Sequence, residues 1–191
     1  MLEKFLRGLG RGLCAAAVAM ALASAAASPA AAGEADAAEL REDSIKALHK
    51  LYANDSGAAA LGDKAVAVLV FPRILKAGFI VGGAGGTGTM LRGEEAVGYY
   101  SSLAASYGLQ AGAQTFGYAL FFMNEAATDY LARSDGWEVG VGPSVVVLEK
   151  GVGKKITSST VTEDIYAVIF DQSGLMAGLG IEGSKISPYN P

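Results

Sequence analysis

The stretch Lys76-Ala-Gly-Phe-Ile-Val-Gly-Gly-Ala-Gly-Gly-Thr-Gly-Thr-Met-Leu91 decides how the rest of the chain is read. It contains the spacing G-x-G-x-x-G at Gly83, Gly85 and Gly88, directly after an apolar run with the character of a strand. In a dinucleotide-binding enzyme those glycines open a helix whose N-terminal N–H groups hold the pyrophosphate. Here no helical pattern follows. Thr87, Thr89 and Leu91 alternate with Gly88, Met90 and Arg92, a period of two, up to a turn at Gly93-Glu94-Glu95. A strand resumes over residues 97–101. The spacing therefore predicts that Gly82, Gly83, Gly85, Gly86 and Gly88 form a structural loop that bends the chain from strand to strand, outside any βαβ unit. The phosphate-cradling sequence G-x-x-x-x-G-K-[ST] is absent.

Upstream, Ala65-Val-Ala-Val-Leu-Val-Phe71 is a continuous apolar run ended by Pro72, which predicts a buried strand. Four further segments, at 77–83, 106–114, 136–142 and 174–182, share one pattern: aliphatic or aromatic residues alternate with glycine and short polar residues. Glycine inside a strand costs about 0.5–1 kcal/mol relative to alanine, so its repetition needs a reason. Tight curvature, a second layer packed close, or a ligand groove would each supply one, and the residues leave these open. Residues 116–123, 144–149 and 165–170 read as additional strands, and Asp171-Gln-Ser-Gly174 as a hairpin turn into the last one.

Helical periodicity is confined to three places. Over residues 37–53, Leu40, Ile45, Leu48, Leu51 and Tyr52 fall on one side of a helix. A short second helix over 58–64 has Asp55 or Ser56 as its N-cap, and a third lies between Asn124 and Ser134, capped by Asn124 with Glu125 in its first turn. The expected class is α+β: a glycine-rich, mostly antiparallel, curved β-sheet or barrel-like sandwich with an N-terminal helical segment and one short mid-chain helix.

Residues 1–32 read as a cleaved secretory signal peptide. Lys4, Arg7 and Arg11 precede an alanine-rich apolar run and then small residues as far as Ala32. Cys14 sits at the start of that run, with Leu13 before it, which does not suit a lipoprotein cysteine. Removal of the segment takes away the only cysteine, so a disulfide framework is excluded, and moves the net charge from −4 to −6. So acidic a chain is a poor candidate for nucleic-acid binding. Residues 33–191 form the expected single domain, exported to the periplasm or outer envelope.

Catalytic chemistry is thinly provided. His49 is the single histidine and lies at the edge of the helical stripe. There is no G-x-S-x-G or S-x-x-K sequence. One histidine and no mature cysteine suit zinc badly, and calcium-loop spacing is absent. Glu94-Glu95 and Glu163-Asp164 are adjacent pairs at expected turns and read as solvated. No catalytic residue, metal site or cofactor is assigned. The candidate lipid- or anion-contacting residues are Lys46 and Lys50 on the first helix, Arg73 and Lys76 around Pro72, and Lys154 and Lys155 in a glycine-containing loop.

The run Leu69-Val-Phe-Pro-Arg-Ile-Leu-Lys-Ala-Gly-Phe-Ile-Val-Gly-Gly-Ala-Gly-Gly-Thr-Gly88 resembles the opening block of the SYLF lipid-binding family. Ser106-Tyr-Gly-Leu-Gln-Ala-Gly-Ala-Gln114, Leu120-Phe-Phe-Met-Asn124 and Gly174-Leu-Met-Ala-Gly-Leu-Gly-Ile-Glu-Gly-Ser184 resemble its later blocks, in order. Eukaryotic members bind phosphoinositide membranes, and some act on actin. With an export signal and no appended module, this chain looks like the stand-alone bacterial form. The resemblance implies a non-catalytic lipid- or membrane-binding protein of the cell envelope, with anionic phospholipid as the partner. The alternative is a structural, self-assembling or protein-docking envelope protein.

Overall fold

A computed structural model describes residues 29–148, 162–174 and 183–191. Helix α1 spans Pro29–Asn54, eight residues longer at its start than the apolar stripe indicates, and α2 spans Ser56–Gly62. The Asp55 carboxylate caps α2 by accepting from the N–H groups of Gly57 at 2.8 Å and Ala58 at 3.1 Å.

Two long strands follow, β1 at Ala67–Arg92 and β2 at Glu95–Phe122. They pair antiparallel along their whole length, and the turn lies at Gly93, whose φ of 63° favours glycine. The expected glycine loop is therefore corrected. Gly82, Gly83, Gly85, Gly86 and Gly88 are strand residues, paired with Ser106, Ala105, Leu103, Ser102 and Tyr100. No helix follows them. Pairing runs in unbroken register from Ile80 to Met90 through the glycines, because a glycine still supplies its backbone N–H and C=O. Pro72 likewise does not end a strand. Phe71 pairs with Tyr118 and Ile74 with Phe116, so Pro72 and Arg73 together oppose Gly117 in a bulge, where proline's missing N–H is tolerated. The separate strands expected at 106–114 and 116–123 are both parts of β2.

Beyond β2 come α3 (Glu125–Arg133), β3 (Trp137–Glu138), β4 (Val145–Leu148), β5 (Ile165–Gly174) and β6 (Lys185–Pro188). Asn124 caps α3 by accepting from the Ala127 N–H, with Glu125 in the first turn. The strand expected over 136–142 is only two residues long, since Gly140 and Gly142 take positive φ values of 101° and 94°. Asp171-Gln-Ser-Gly174 does not turn. Ser173 and Gly174 pair with Thr115 and Gln114, and Asp171 at φ 50° sits in a bulge opposite Phe116. Its turn chemistry is real but absorbs an extra residue within a strand. The remainder of the strand expected over 174–182 lies outside the described residues.

The sheet order is β3-β6-β2-β5-β4, with β1 on the other edge of β2. The pairing is antiparallel except between β4 and β5. The long hairpin curls over its own inner face. A Cβ placed on Gly86 would lie 2.4 Å from the Arg73 carbonyl oxygen, and one on Gly88 would lie 2.4 Å from that of Val70. The two halves of β1 thus meet backbone to backbone, and a mostly antiparallel half-barrel results. Its interior holds Phe71, Ile74, Tyr118, Leu120, Phe122, Leu131 and Trp137. The outer face of the sheet is covered by α1 and α2, where Leu48, Leu51 and Leu61 pack on Val68, Val70, Phe121 and Val168.

Candidate functional site

The hairpin has two ends of different character. At the turn, α1 grips the chain. The Arg41 guanidinium donates twice to the Glu94 carbonyl, at 3.2 and 2.7 Å, and His49 Nε2 lies 3.2 Å from Glu94 Oε1. Arg92 makes a bidentate pair with Glu125 at 2.8 and 2.6 Å, which raises the guanidinium pKa and holds the carboxyl below its ordinary value. One turn of α1 away, buried Ser44 Oγ is 3.1 Å from Thr89 Oγ1.

Midway along β1 the ribbon folds back on itself across residues 79–81, which makes this bend the extremity opposite the turn. A Cβ on Gly78 would lie 2.5 Å from the Gly82 Cα, so only glycine allows so tight a corner. The register slips there as well: Phe79 pairs with Ala111 but Ile80 with Gly108, which leaves Leu109 and Gln110 as extra residues on β2. Phe79 and Val81 sit on the convex side and are 73% and 60% exposed. Leu75 and Leu103 on the same face are also exposed. The pairs along this face are Leu75/Thr115, Ala77/Ala113, Phe79/Ala111, Val81/Tyr107, Gly83/Ala105 and Gly85/Leu103. None carries a charge.

The charge along the hairpin sequence is one-sided. Between Asp63 and Glu94 the chain contains no acidic residue, while Lys64, Arg73, Lys76 and Arg92 are basic, and residues 96–124 carry no charge at all. Arg73 is exposed in the Pro72 bulge, and Lys76 follows, half-buried, opposite Gln114. Arg73 thus lies six residues before Phe79 on the same strand, while Lys76 shares the inner-face alternation of Ile74 and not the exposed face of Leu75 and Phe79. The others are placed differently. Lys46 pairs with Glu42 at 2.9 Å, an interaction that raises the lysine pKa and lowers that of the glutamate, and Lys50 pairs with Asp171 at 2.8 Å. Lys154 and Lys155 lie outside the described residues.

Of the groups considered for catalysis, His49 faces the Glu94 carboxylate on the surface, with α1 beneath it. Asp164 is corrected from a solvated residue to a strut. Its carboxylate accepts from the Ser144 N–H at 3.0 Å, the Ser144 hydroxyl at 3.1 Å and the Asn124 amide at 2.8 Å. The Ser144 backbone bond, then the Asn124 bond, hold its carboxyl below the ordinary value. It ties the cap of α3 to the starts of β4 and β5. Glu94 is likewise engaged by α1. Among the described residues, no group of three metal-ligating side chains converges, and no helix is long and apolar enough to cross a membrane. A groove of about 570 Å³ runs between the end of α1 and β5, with Lys50, Leu51, Val168, Phe170 and Asp171 among its lining residues.

Residues 103–190 match the family model Ysc84, described as Las17-binding protein actin regulator. That model describes the SYLF domain. The SYLF match opens at exposed Leu103, inside β2, and runs almost to the C-terminus, whereas α1, α2 and β1 precede it. No curated protein matches the chain. The apolar corner itself is a feature that periodicity does not reveal, since a strand face reads the same whether it is covered or bare. The readable signal is the absence of acidic residues from 64 to 93.

Proposed function

We propose that this chain is a non-catalytic lipid-binding protein that works at an anionic membrane surface of the bacterial cell envelope. The observation that carries this reading is the β1–β2 hairpin. Its only acidic residues sit at the turn, where α1 engages Glu94, and its bend presents exposed apolar side chains, with exposed Arg73 six residues before Phe79 on the same strand. A chain of net charge −4 that keeps its longest hairpin free of carboxylates away from the turn is suited to approach phosphate headgroups locally while being repelled elsewhere. The amino-terminal segment, with its basic start, apolar run and small residues, supports export. An exported chain does not meet cytosolic actin regulators, so of the two partner types associated with SYLF domains we assign lipid.

The G-x-G-x-x-G spacing favours no second reading. Its glycines pair with β2 throughout and open no helix, whose first N–H groups a pyrophosphate requires. Co-flotation of the protein with phosphatidylcholine vesicles, with and without phosphatidylglycerol and at low and high salt, tests the proposal. Binding to the anionic vesicles that weakens with salt is the expected result. Failure to float with either vesicle at low salt would remove it.

A further inference from the structure

We propose that the bent end of the hairpin is the element that enters the bilayer, with Phe79 and Val81 at its tip and Arg73 on lipid phosphate. This rests on the lipid-binding reading above and adds the surface that performs it. Helix α1, the other candidate, has spent its apolar side: Leu48 and Leu51 are buried against the sheet. Its lysines Lys46 and Lys50 are engaged by Glu42 and Asp171. The corner has the opposite properties. Leu75, Phe79, Val81 and Leu103 are each more than half exposed on one face. That face continues the one α1 covers, since Thr89, bonded to Ser44 of α1, shares the strand alternation of Phe79 and Val81.

Charge selects a membrane as the occupant. A lipid surface supplies phosphates to Arg73, whereas a second copy of this hairpin face would bring only further cations and no carboxylate. The geometry also limits the depth. The outer edge of β1 pairs with no strand among the described residues, and unpaired backbone groups are not tolerated in hydrocarbon. The side chains of the tip therefore reach the boundary between headgroups and acyl chains, about 5–10 Å deep, while the backbone stays in the headgroup layer. The corner is already shaped by Gly78 and Gly82, so insertion requires no refolding.

The test uses the full protein with phosphatidylcholine vesicles containing a minority of phosphatidylglycerol. The double variant Phe79→Asp/Val81→Asp should lose roughly tenfold or more in vesicle partitioning, with an unchanged melting temperature, because both side chains are exposed in the free protein. Arg73→Gln should lose roughly fivefold on anionic vesicles only. In F79W, the introduced indole should be quenched by lipids brominated on their acyl chains, while wild-type protein, whose single Trp137 is buried, should not be. If wild type partitions and the double variant partitions equally, or the F79W indole is not quenched, the corner is not the inserting element and lipid binding stands by another surface. If wild type does not partition at all, the lipid reading itself falls. A wild-type dimer in light scattering that the double variant dissolves would assign the face to a second copy and overturn this proposal.

Discussion

The two ends of the β1–β2 hairpin are built from similar sequence and treated in opposite ways. The turn end is tied down by Arg41 and His49 on Glu94 and by Arg92 on Glu125. The corner end has bulges, close glycine contacts and a bare apolar face. Phe71 and Phe79 make the contrast plain. Eight residues apart in one strand, the first lies on the inner face, fully buried and stacked on Tyr118 at 4.6 Å, and the second lies on the outer face at the bend, 73% exposed. A sheet that buries one end of a ribbon and leaves the other bare has divided its apolar residues between holding the fold and meeting something outside it.

The largest effect expected from that division is in the core. Phe71→Ala should cost about 3–5 kcal/mol, and Phe79→Ala should stay within about 0.5 kcal/mol, both read from urea unfolding. Equal losses would erase the distinction between the packed interior and the bare bend. The glycines sharpen it next. Gly88→Ala places a Cβ 2.4 Å from the Val70 carbonyl and should cost about 1–3 kcal/mol or more. Gly83→Ala meets only the Ala104 carbonyl, at 3.6 Å, and should be nearly neutral. Arg41→Ala removes the donors to Glu94 and should cost about 1 kcal/mol, with faster amide exchange at the turn and none of that change at the corner.

The smallest effect is one of pH. The Arg92 hydrogen bond depresses the Glu125 pKa in the folded state, so the pair stabilises the turn end above the unfolded carboxyl value of about 4.3. That contribution is lost as pH falls through the lower, folded value. Hydrogen exchange corrected for intrinsic rate should therefore show the turn loosening in acid before the corner does, and Glu125→Gln should abolish the difference.

Much of this arrangement was legible beforehand, and the misreadings have a common cause. The caps Asp55 and Asn124, the stripe of α1 and the absence of a helix after Gly88 follow from local rules and are seen in the structure. Pro72, the glycine run and Asp171–Gly174 each have the local chemistry of a break, and each lies within a strand. A residue that disturbs a ladder can end it or be absorbed as a bulge, and which occurs depends on whether a partner strand continues alongside. Periodicity in one segment carries no information about the partner. Lys46 and Lys50 are similar: their charge is evident, but pairing Lys50 to Asp171 needs two elements far apart in the chain.

The order of residues alone determines the α+β class, the caps of α2 and α3, the alternating strand faces and a hairpin without carboxylates between its root and its turn, because each depends on neighbours a few positions apart. Tertiary structure decided that residues 67–92 are one strand, that Gly86 and Gly88 lie against a carbonyl ridge of the same strand, and that α1 stops short of Phe79 and Val81. Those outcomes depend on which surfaces meet, and covering one apolar face while leaving its continuation bare is settled only when the sheet curls and the helix docks.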